Sequence, residues 1–96
     1  MKRYHGDRTI DGTTVTVDGR DLASRHDLKP CSQDFEWGYE GVAPAQLSLA
    51  ILADHFEEGP RALSLHEPFM KAVVANFTNE WEMTSADVDR ALVNMI

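Results

Sequence analysis

Hydrophobic positions near the start of the chain follow the two-residue period of a β-sheet. Val15 and Val17 fall on one face of a short segment and threonines fall on the other, which is typical of a half-buried strand. Asp-Gly pairs at 11–12 and 18–19 flank this segment, and glycine accepts the positive φ that tight hairpin turns require. The pattern therefore predicts an antiparallel meander. Its strands are expected at residues 4–10, 13–17 and 20–22.

The hydrophobic period becomes helical after Pro44. From Ala45 to His55 the residues are mostly good helix formers, and the apolar side chains cover a wide arc. We therefore predict a central buried helix that runs from Pro44, at the first helical position, to Phe56. The Gly59-Pro60 pair is expected to end it.

Two further helices are predicted in the C-terminal part. An apolar stripe at helical spacing indicates a second helix that begins near Pro68. The alternating residues 80–83 predict a short strand or an extended link. The sequence from Thr84 to Asp87 is typical of a helix N-cap, which predicts a last helix to about Asn94. The apolar stripe that indicates the second helix consists of Phe69, Met70, Val73, Val74 and Phe77.

These elements predict a single α+β domain over residues 1–96. A small N-terminal antiparallel meander packs on the central helix, with two further helices, and 96 residues suffice for one hydrophobic core. The wide apolar arc of the central helix can be covered by the other helices or by a second subunit, so a homodimer stays open. The parts are the meander (1–22), a loop with an aromatic and glycine-rich segment (23–43) and a helical part (44–96).

The net charge of −7 is unevenly distributed. Residues 1–30 hold six basic and five acidic residues, whereas residues 31–96 hold three basic and eleven acidic residues, which gives +1 and −8. The acidic part disfavours direct binding to nucleic acid and suits a protein partner with a basic surface. An acidic surface that only keeps the protein soluble explains the same charge. The expected partner-binding residues are Glu57, Glu58, Glu80, Glu82, Asp87 and Asp89.

No membrane association is expected, because the longest apolar run, residues 47–53, is far shorter than the roughly 20 residues that span a bilayer. The single cysteine excludes an internal disulfide, which favours the cytoplasm. The four histidines are not spaced as zinc ligands, and His55 is interpreted as a surface residue. Cys31 has no evident base and is interpreted as an ordinary free thiol. We therefore expect a non-enzymatic protein without catalytic residues, bound metal or cofactor.

Aromatic residues and glycines crowd into the segment before the central helix. Free N–H groups at a helix N-terminus bind anions, and Trp37 and Tyr39 offer rings for stacking. The Gly38–Pro44 turn therefore favours a nucleotide-like ligand, bound by Trp37, Gly38, Tyr39 and Gly41. In the structural alternative, the glycines only form a tight turn and Trp37 fills the core.

This segment resembles the signature of the DUF6166 family. The resemblance rests on the string FEWGYEGVAPAQLSLAILADH from Phe35 to His55, together with Tyr4-x-Gly6 and the late Trp81-x-Met83-Thr84. One departure is Ala43, where the family favours glycine. The family contains uncharacterised small proteins of bacteria, archaea and their viruses. The resemblance thus implies a fold and a link to mobile elements, but no reaction and no catalytic residues.

Two functions follow from these observations. The first is a protein that acts through its acidic surface; in a phage it would be an anti-defence or anti-CRISPR protein that occupies the basic groove of a host defence complex. The second is a protein that binds or sequesters a nucleotide-like anion at the start of the central helix.

Overall fold

A four-stranded antiparallel sheet and three helices form the computed structural model, which describes residues 1–95. This architecture confirms the α+β class. The strands are β1 (Arg3–Thr9), β2 (Gly12–Val17), β3 (Arg20–Asp21) and β4 (Glu80–Thr84), and their order in the sheet is β3-β2-β1-β4. The helices are α1 (Val42–Phe56), α2 (Gly59–Ala72) and α3 (Ser85–Met95).

The two turns of the meander differ in how well the sequence predicted them. Asp18 and Gly19 form a two-residue turn with φ of 51° and 80°, which is the positive-φ hairpin geometry expected of an Asp-Gly pair. In the first hairpin, Thr9 pairs with Gly12, so the turn consists of Ile10 and Asp11. The observed turn therefore lies one residue before the turn that was predicted at the Asp-Gly pair, residues 11–12.

Strand β4 completes the sheet by pairing with the free edge of β1. Its register places Met83 opposite Tyr4 and Trp81 opposite Gly6. The sequence predicted a strand or link at 80–83, but a local pattern does not specify the partner of a strand so far along the chain. A strand of the sheet therefore lies inside the part that was expected to be helical, residues 44–96.

An aromatic cluster lies directly on Gly6. A Cβ atom at this position would lie 2.2 Å from Nε1 of Trp81, a distance that no side chain tolerates. The Trp81 ring packs edge to face against Trp37 at 5.8 Å and stacks on Phe77 at 4.3 Å. Phe77 was expected on the second helix, but it follows a short 3₁₀ turn, Val74–Asn76. Gly6 is thus required because Trp81 covers its backbone.

Helix α1 is the central buried helix, as predicted. Its residues Pro44–Ala53 are all buried, so the helix needs no second subunit to cover its apolar arc. The helix begins at Val42, which makes Pro44 the third helical residue instead of the first. Proline is accepted there because the first N–H groups of a helix have no intrahelical partner.

Helix α2 begins at Gly59, and the predicted start near Pro68 was wrong. Helix α1 ends at Phe56, and its C-cap, Glu57, adopts the left-handed conformation with φ of 57°. Pro60 occupies the first turn of α2. Pro68 lies inside α2, where it cannot donate to the carbonyl of Ser64. Ser64 and Pro68 are both exposed, so water can donate a hydrogen bond to the Ser64 carbonyl, which Pro68 leaves without an N–H donor.

A reciprocal cap joins β4 to α3, as the sequence predicted. The Asp87 N–H donates to Oγ1 of Thr84 at 3.2 Å, and the Thr84 N–H donates to Oδ2 of Asp87 at 2.9 Å. The bond from the Thr84 backbone, followed by the one from Arg90, lowers the pKa of the Asp87 carboxyl below its usual value. Val88 and Leu92 face the core from this helix.

Polar contacts at the C-terminal end of α1 bind it to β1 and α3. The Tyr4 hydroxyl donates to Oδ2 of Asp54 at 2.7 Å, and burial followed by this bond raises the pKa of Tyr4 far above its usual value. His55 was interpreted as a surface residue, yet its side chain is only 10% exposed and lies 2.7 Å from Asp89.

No helix within residues 1–95 combines the length and apolar character needed to cross a membrane.

We expect Gly6→Ala to lower the free energy of unfolding by about 1–3 kcal/mol, because the added methyl group overlaps the Trp81 indole. Urea denaturation followed by circular dichroism measures this change. In a Trp81→Leu background the methyl group has room, and its cost should fall by about 1 kcal/mol or more. An equal cost in both backgrounds would show that the indole does not exclude a side chain from position 6.

Candidate functional site at the N-terminus of the central helix

The residues expected to bind a ligand are separated by the fold. Trp37 is completely buried and has the guanidinium of Arg8 over its ring at 5.0 Å, so the ring offers no face for stacking. Tyr39, in contrast, is 49% exposed. The buried position of Trp37 agrees with the structural alternative, in which this ring fills the core.

The two glycines of the segment also have different roles. Gly38 has φ of +88°, and a Cβ atom there would lie 3.1 Å from the carbonyl oxygen of Phe77. Its N–H donates to the carbonyl of Val74 at 3.1 Å, so Gly38 belongs to a tight turn against the core. Gly41 precedes α1 in an extended conformation, and its Cα lies beside the Tyr39 ring. Only Gly41 of this pair faces the cavity described next.

A cavity of about 350 Å³ lies at the start of α1. It is enclosed by α1, α2 and the loop that precedes α1. The sequence predicted an anion site at this helix start, and Gly41 is common to that prediction and the cavity. The other lining residues were not predicted as ligand contacts. The lining consists of Lys29, Cys31, Gly41, Val42, Ala45, His66, Glu67 and Met70.

The α1 end of the cavity suits a negative charge. No side chain caps the 15-residue helix, and no acidic residue lies in its first turn. Pro44, the third helical residue, has no N–H, so Val42 and Ala43 supply the N–H groups that remain available to an anion together with the helix dipole. Lys29 adds a cation to the lining, and Glu67 is the one acidic side chain among the lining residues. Val42, Ala45 and Met70 make the rest of the wall largely apolar.

Buried Gln46 holds the loop that forms one side of the cavity. Its Oε1 accepts the N–H groups of Cys31 at 2.7 Å and Ser32 at 3.1 Å, and its Nε2 donates to the carbonyl of Ser24 at 2.6 Å. This clamp brings Lys29 and Cys31 to the start of α1. Gln46 was considered only as a helix former, although a glutamine within an otherwise apolar helix is a signal for a buried hydrogen-bonded role.

His66 on α2 is the second buried polar residue that the sequence reasoning missed. Its residue exposure is 4%, and Nδ1 lies 2.7 Å from the carbonyl oxygen of Leu63. Nε2 meets no hydrogen-bond partner within residues 1–95. His66 belongs to the cavity wall, but its Nε2 atom is itself buried.

Cys31 and His66 both line the cavity, but within the described part of the chain no hydrogen bond joins them. A nucleophile and its base need that contact for proton transfer. The lining of the cavity combines a helix N-terminus, a lysine and an apolar wall, which are groups suited to binding.

The six acidic residues expected to bind a partner fall into three places. Glu80 and Glu82 lie on the outer face of the sheet and pair with His5 and Arg3. Asp87 and Asp89 belong to α3 and pair with Arg90 and His55. Glu57 and Glu58 are exposed between α1 and α2, and the structure gives neither an ion pair within residues 1–95. Four of the six acids thus already have a partner within the chain.

One sequence family, described as "Family of unknown function (DUF6166)", matches residues 4–94. The chain belongs to the DUF6166 family. The match confirms the resemblance in the aromatic and glycine-rich segment. It also includes every lining residue of the cavity in this DUF6166 member. No curated protein and no solved structure is similar enough to this chain to count as a match.

Replacing Gln46 with leucine is expected to lower the free energy of unfolding by about 1–3 kcal/mol, because two loop N–H groups lose their acceptor. The same change should free the loop and accelerate the reaction of Cys31 with a thiol-exchange reagent. Gln33→Leu, at an exposed position of the same loop, is the matched control. If the Cys31 rate is the same in both variants, Gln46 does not hold this loop.

Proposed function

We propose that this protein is a cytoplasmic binding protein that holds a small anionic molecule in the cavity at the start of α1 and performs no reaction on it. The observation that carries the proposal is the meeting of an uncapped helix N-terminus, Lys29 and an apolar wall in one cavity of about 350 Å³. The free thiol of Cys31 agrees with a reducing compartment.

The composition of the wall narrows the class of ligand. Small-molecule sites measure roughly 300–1,000 Å³ and combine apolar walls with a few polar groups, and this cavity lies at the lower end of that range. Val42, Ala45 and Met70 suit an apolar or aromatic body, and the helix N-terminus suits its carboxylate or phosphate. The exposed ring of Tyr39 packs beside Gly41, where it can cover the ligand. A nucleotide-like anion belongs to this class.

The ligand proposal predicts a thermal shift with aromatic carboxylates or nucleoside monophosphates. A ligand at about tenfold its Kd adds about 1.4 kcal/mol of stability, which raises the Tm of a domain this small by several degrees. Lys29→Gln should weaken binding by about two- to fivefold, and added salt should weaken it further. The matched control is Lys71→Gln, because Lys71 is exposed on α2 and outside the cavity. A Tm that no anion of either class changes at millimolar concentration would refute the proposal.

A second candidate is an acidic surface that binds a basic protein, such as the groove of a host defence complex in the case of a phage gene. Glu57 and Glu58 support it, because they are adjacent, exposed and without an ion pair in the described residues. The other four acids support it less, since each is paired within the chain.

The acidic candidate predicts a salt-sensitive capture of a host protein. We expect Glu57→Lys/Glu58→Lys to abolish capture from a lysate at low salt, because two attractive charges become repulsive. Asp34→Lys/Glu40→Lys changes the net charge equally at exposed loop positions and should leave capture unchanged. Capture that persists in the first variant or at high salt would exclude this electrostatic mechanism.

A further inference from the structure

We infer that Ser24 is a nucleophile that takes up the acyl group of a small activated ester, with His26 as its general base. Both residues lie in the loop between β3 and α1. The inference goes beyond the proposed function, because neither residue lines the α1 cavity. It assigns a reactive site to a part of the chain that has no role in that proposal.

The contacts of the His26 ring show where its hydrogen lies. Nε2 is 2.6 Å from the carbonyl oxygen of Ser32, and a carbonyl can only accept, so Nε2 carries the hydrogen. In the neutral ring, Nδ1 then has a lone pair. Nδ1 is 3.2 Å from Oγ of Ser24, so the hydroxyl donates to it. The proton of the Ser24 hydroxyl is therefore directed at a base.

This arrangement is the one that an activated serine requires. A weak nucleophile needs a base within hydrogen-bond reach, and the base in turn needs a third group that orients it. His26 is the base for Ser24, and the Ser32 carbonyl is the orienting group. Cys31 and His66, the other nucleophile and ring described above, lack the corresponding hydrogen bond.

Buried Gln46 fixes the ends of the loop segment that carries the pair. Its Nε2 donates to the Ser24 carbonyl at 2.6 Å, and its Oε1 accepts the N–H of Ser32 at 3.1 Å. Gln46 is completely buried in α1, so both serines are tied to the same rigid helix. The nucleophile and the group that orients its base are thus held by the core, which is what a precise reactive site needs.

The backbone is strained at the one residue between Ser24 and His26. Arg25 has φ of 59°, in the left-handed region that residues with a side chain rarely adopt. Its guanidinium pairs with Asp27 at 3.1 Å, and its carbonyl accepts the N–H of Leu28 at 3.0 Å. Strained residues persist where the surrounding structure fixes them, and they cluster at functional sites. The strain at Arg25 therefore agrees with a functional pair.

A hollow beside His26 indicates the class of acyl donor. It measures about 450 Å³ and is lined by His26, Pro30, Ser32 and Gln33. None of these side chains is charged while the ring is neutral, so the hollow suits an uncharged ester better than a phosphate. A small ester bound there lies next to the base and one hydrogen bond away from Ser24.

The step is an acyl transfer that needs no other reactant. Oγ of Ser24 forms a bond to the carbonyl carbon of the ester while Nδ1 of His26 takes the hydroxyl proton. The bond between that carbon and the alkoxy oxygen then breaks, and the proton passes from His26 to the leaving alcohol. The products are O-acylated Ser24 and the free alcohol.

Acetylation by 4-nitrophenyl acetate tests the inference, with Ser64 as an internal control. Ser64 is exposed and donates to the carbonyl of Arg61, which is not a base. Trypsin releases Ser24 in residues 21–25 and Ser64 in residues 62–71, and each peptide holds a single hydroxyl side chain. Mass spectrometry of the two peptides then gives both rates. We expect Ser24 to react about 100-fold faster, since a positioned base contributes at least that factor.

His26→Gln separates proton transfer from hydrogen bonding. The glutamine amide can still donate to the Ser32 carbonyl, but it cannot take a proton from Ser24. The rate of Ser24 should therefore fall to that of Ser64, whose own rate should not change. Circular dichroism verifies that the variant is folded. Equal rates of the two serines in the wild type, or a faster rate of Ser24 that His26→Gln retains, would overturn the inference.

Discussion

The contact between Trp81 and Gly6 is the constraint on which the rest of the fold depends. The Trp81 indole occupies the space where a side chain of residue 6 would lie, so the strand must have a glycine there, and Gly6 meets that requirement. The contact joins β4 to β1 and assembles the rings of Trp37 and Phe77 around Trp81. Because β4 runs directly into α3, the same contact also positions the last helix. Gly6 thus allows the N-terminal strand β1 and the C-terminal elements β4 and α3 to pack around the same aromatic cluster.

The cavity follows from how α1 is buried and how it begins. A helix enclosed along Pro44–Ala53 must satisfy its polar side chains internally. Ser48 does so by donating to the Pro44 carbonyl, and Gln46 by binding the preceding loop. The loop then lies beside the helix start, where Gly41 has no side chain to cap the free N–H groups. Structure and candidate binding site therefore share the same residues, and a change in Gln46 affects both stability and the shape of the cavity.

Elements with local signals were predictable from the sequence. The β-branched strand around Val15, the turn at Asp18–Gly19, the buried α1 and the cap of α3 each depend on neighbouring residues. The partner of β4 and the start of α2 were missed, because strand pairing is long-range and Gly59-Pro60 can end one helix or begin the next. The candidate cavity lies at the helix end where the sequence predicted an anion site, and Gly41 is the one predicted contact that lines it. His66 belongs to another element, and sequence spacing does not show that its ring would reach that end.

The late position of β4 in the chain has a kinetic consequence. Strand β1 is complete at Thr9, but its second neighbour is complete only at Thr84. At synthesis rates of about 5–20 residues per second, β1 waits roughly 4–15 s with this edge unpaired and Gly6 uncovered. An unpaired edge beside a bare glycine is a template for wrong strand pairing. The nascent chain is therefore most vulnerable to aggregation just before Trp81 arrives, and closing this edge is a long-range step that limits how fast the domain can fold.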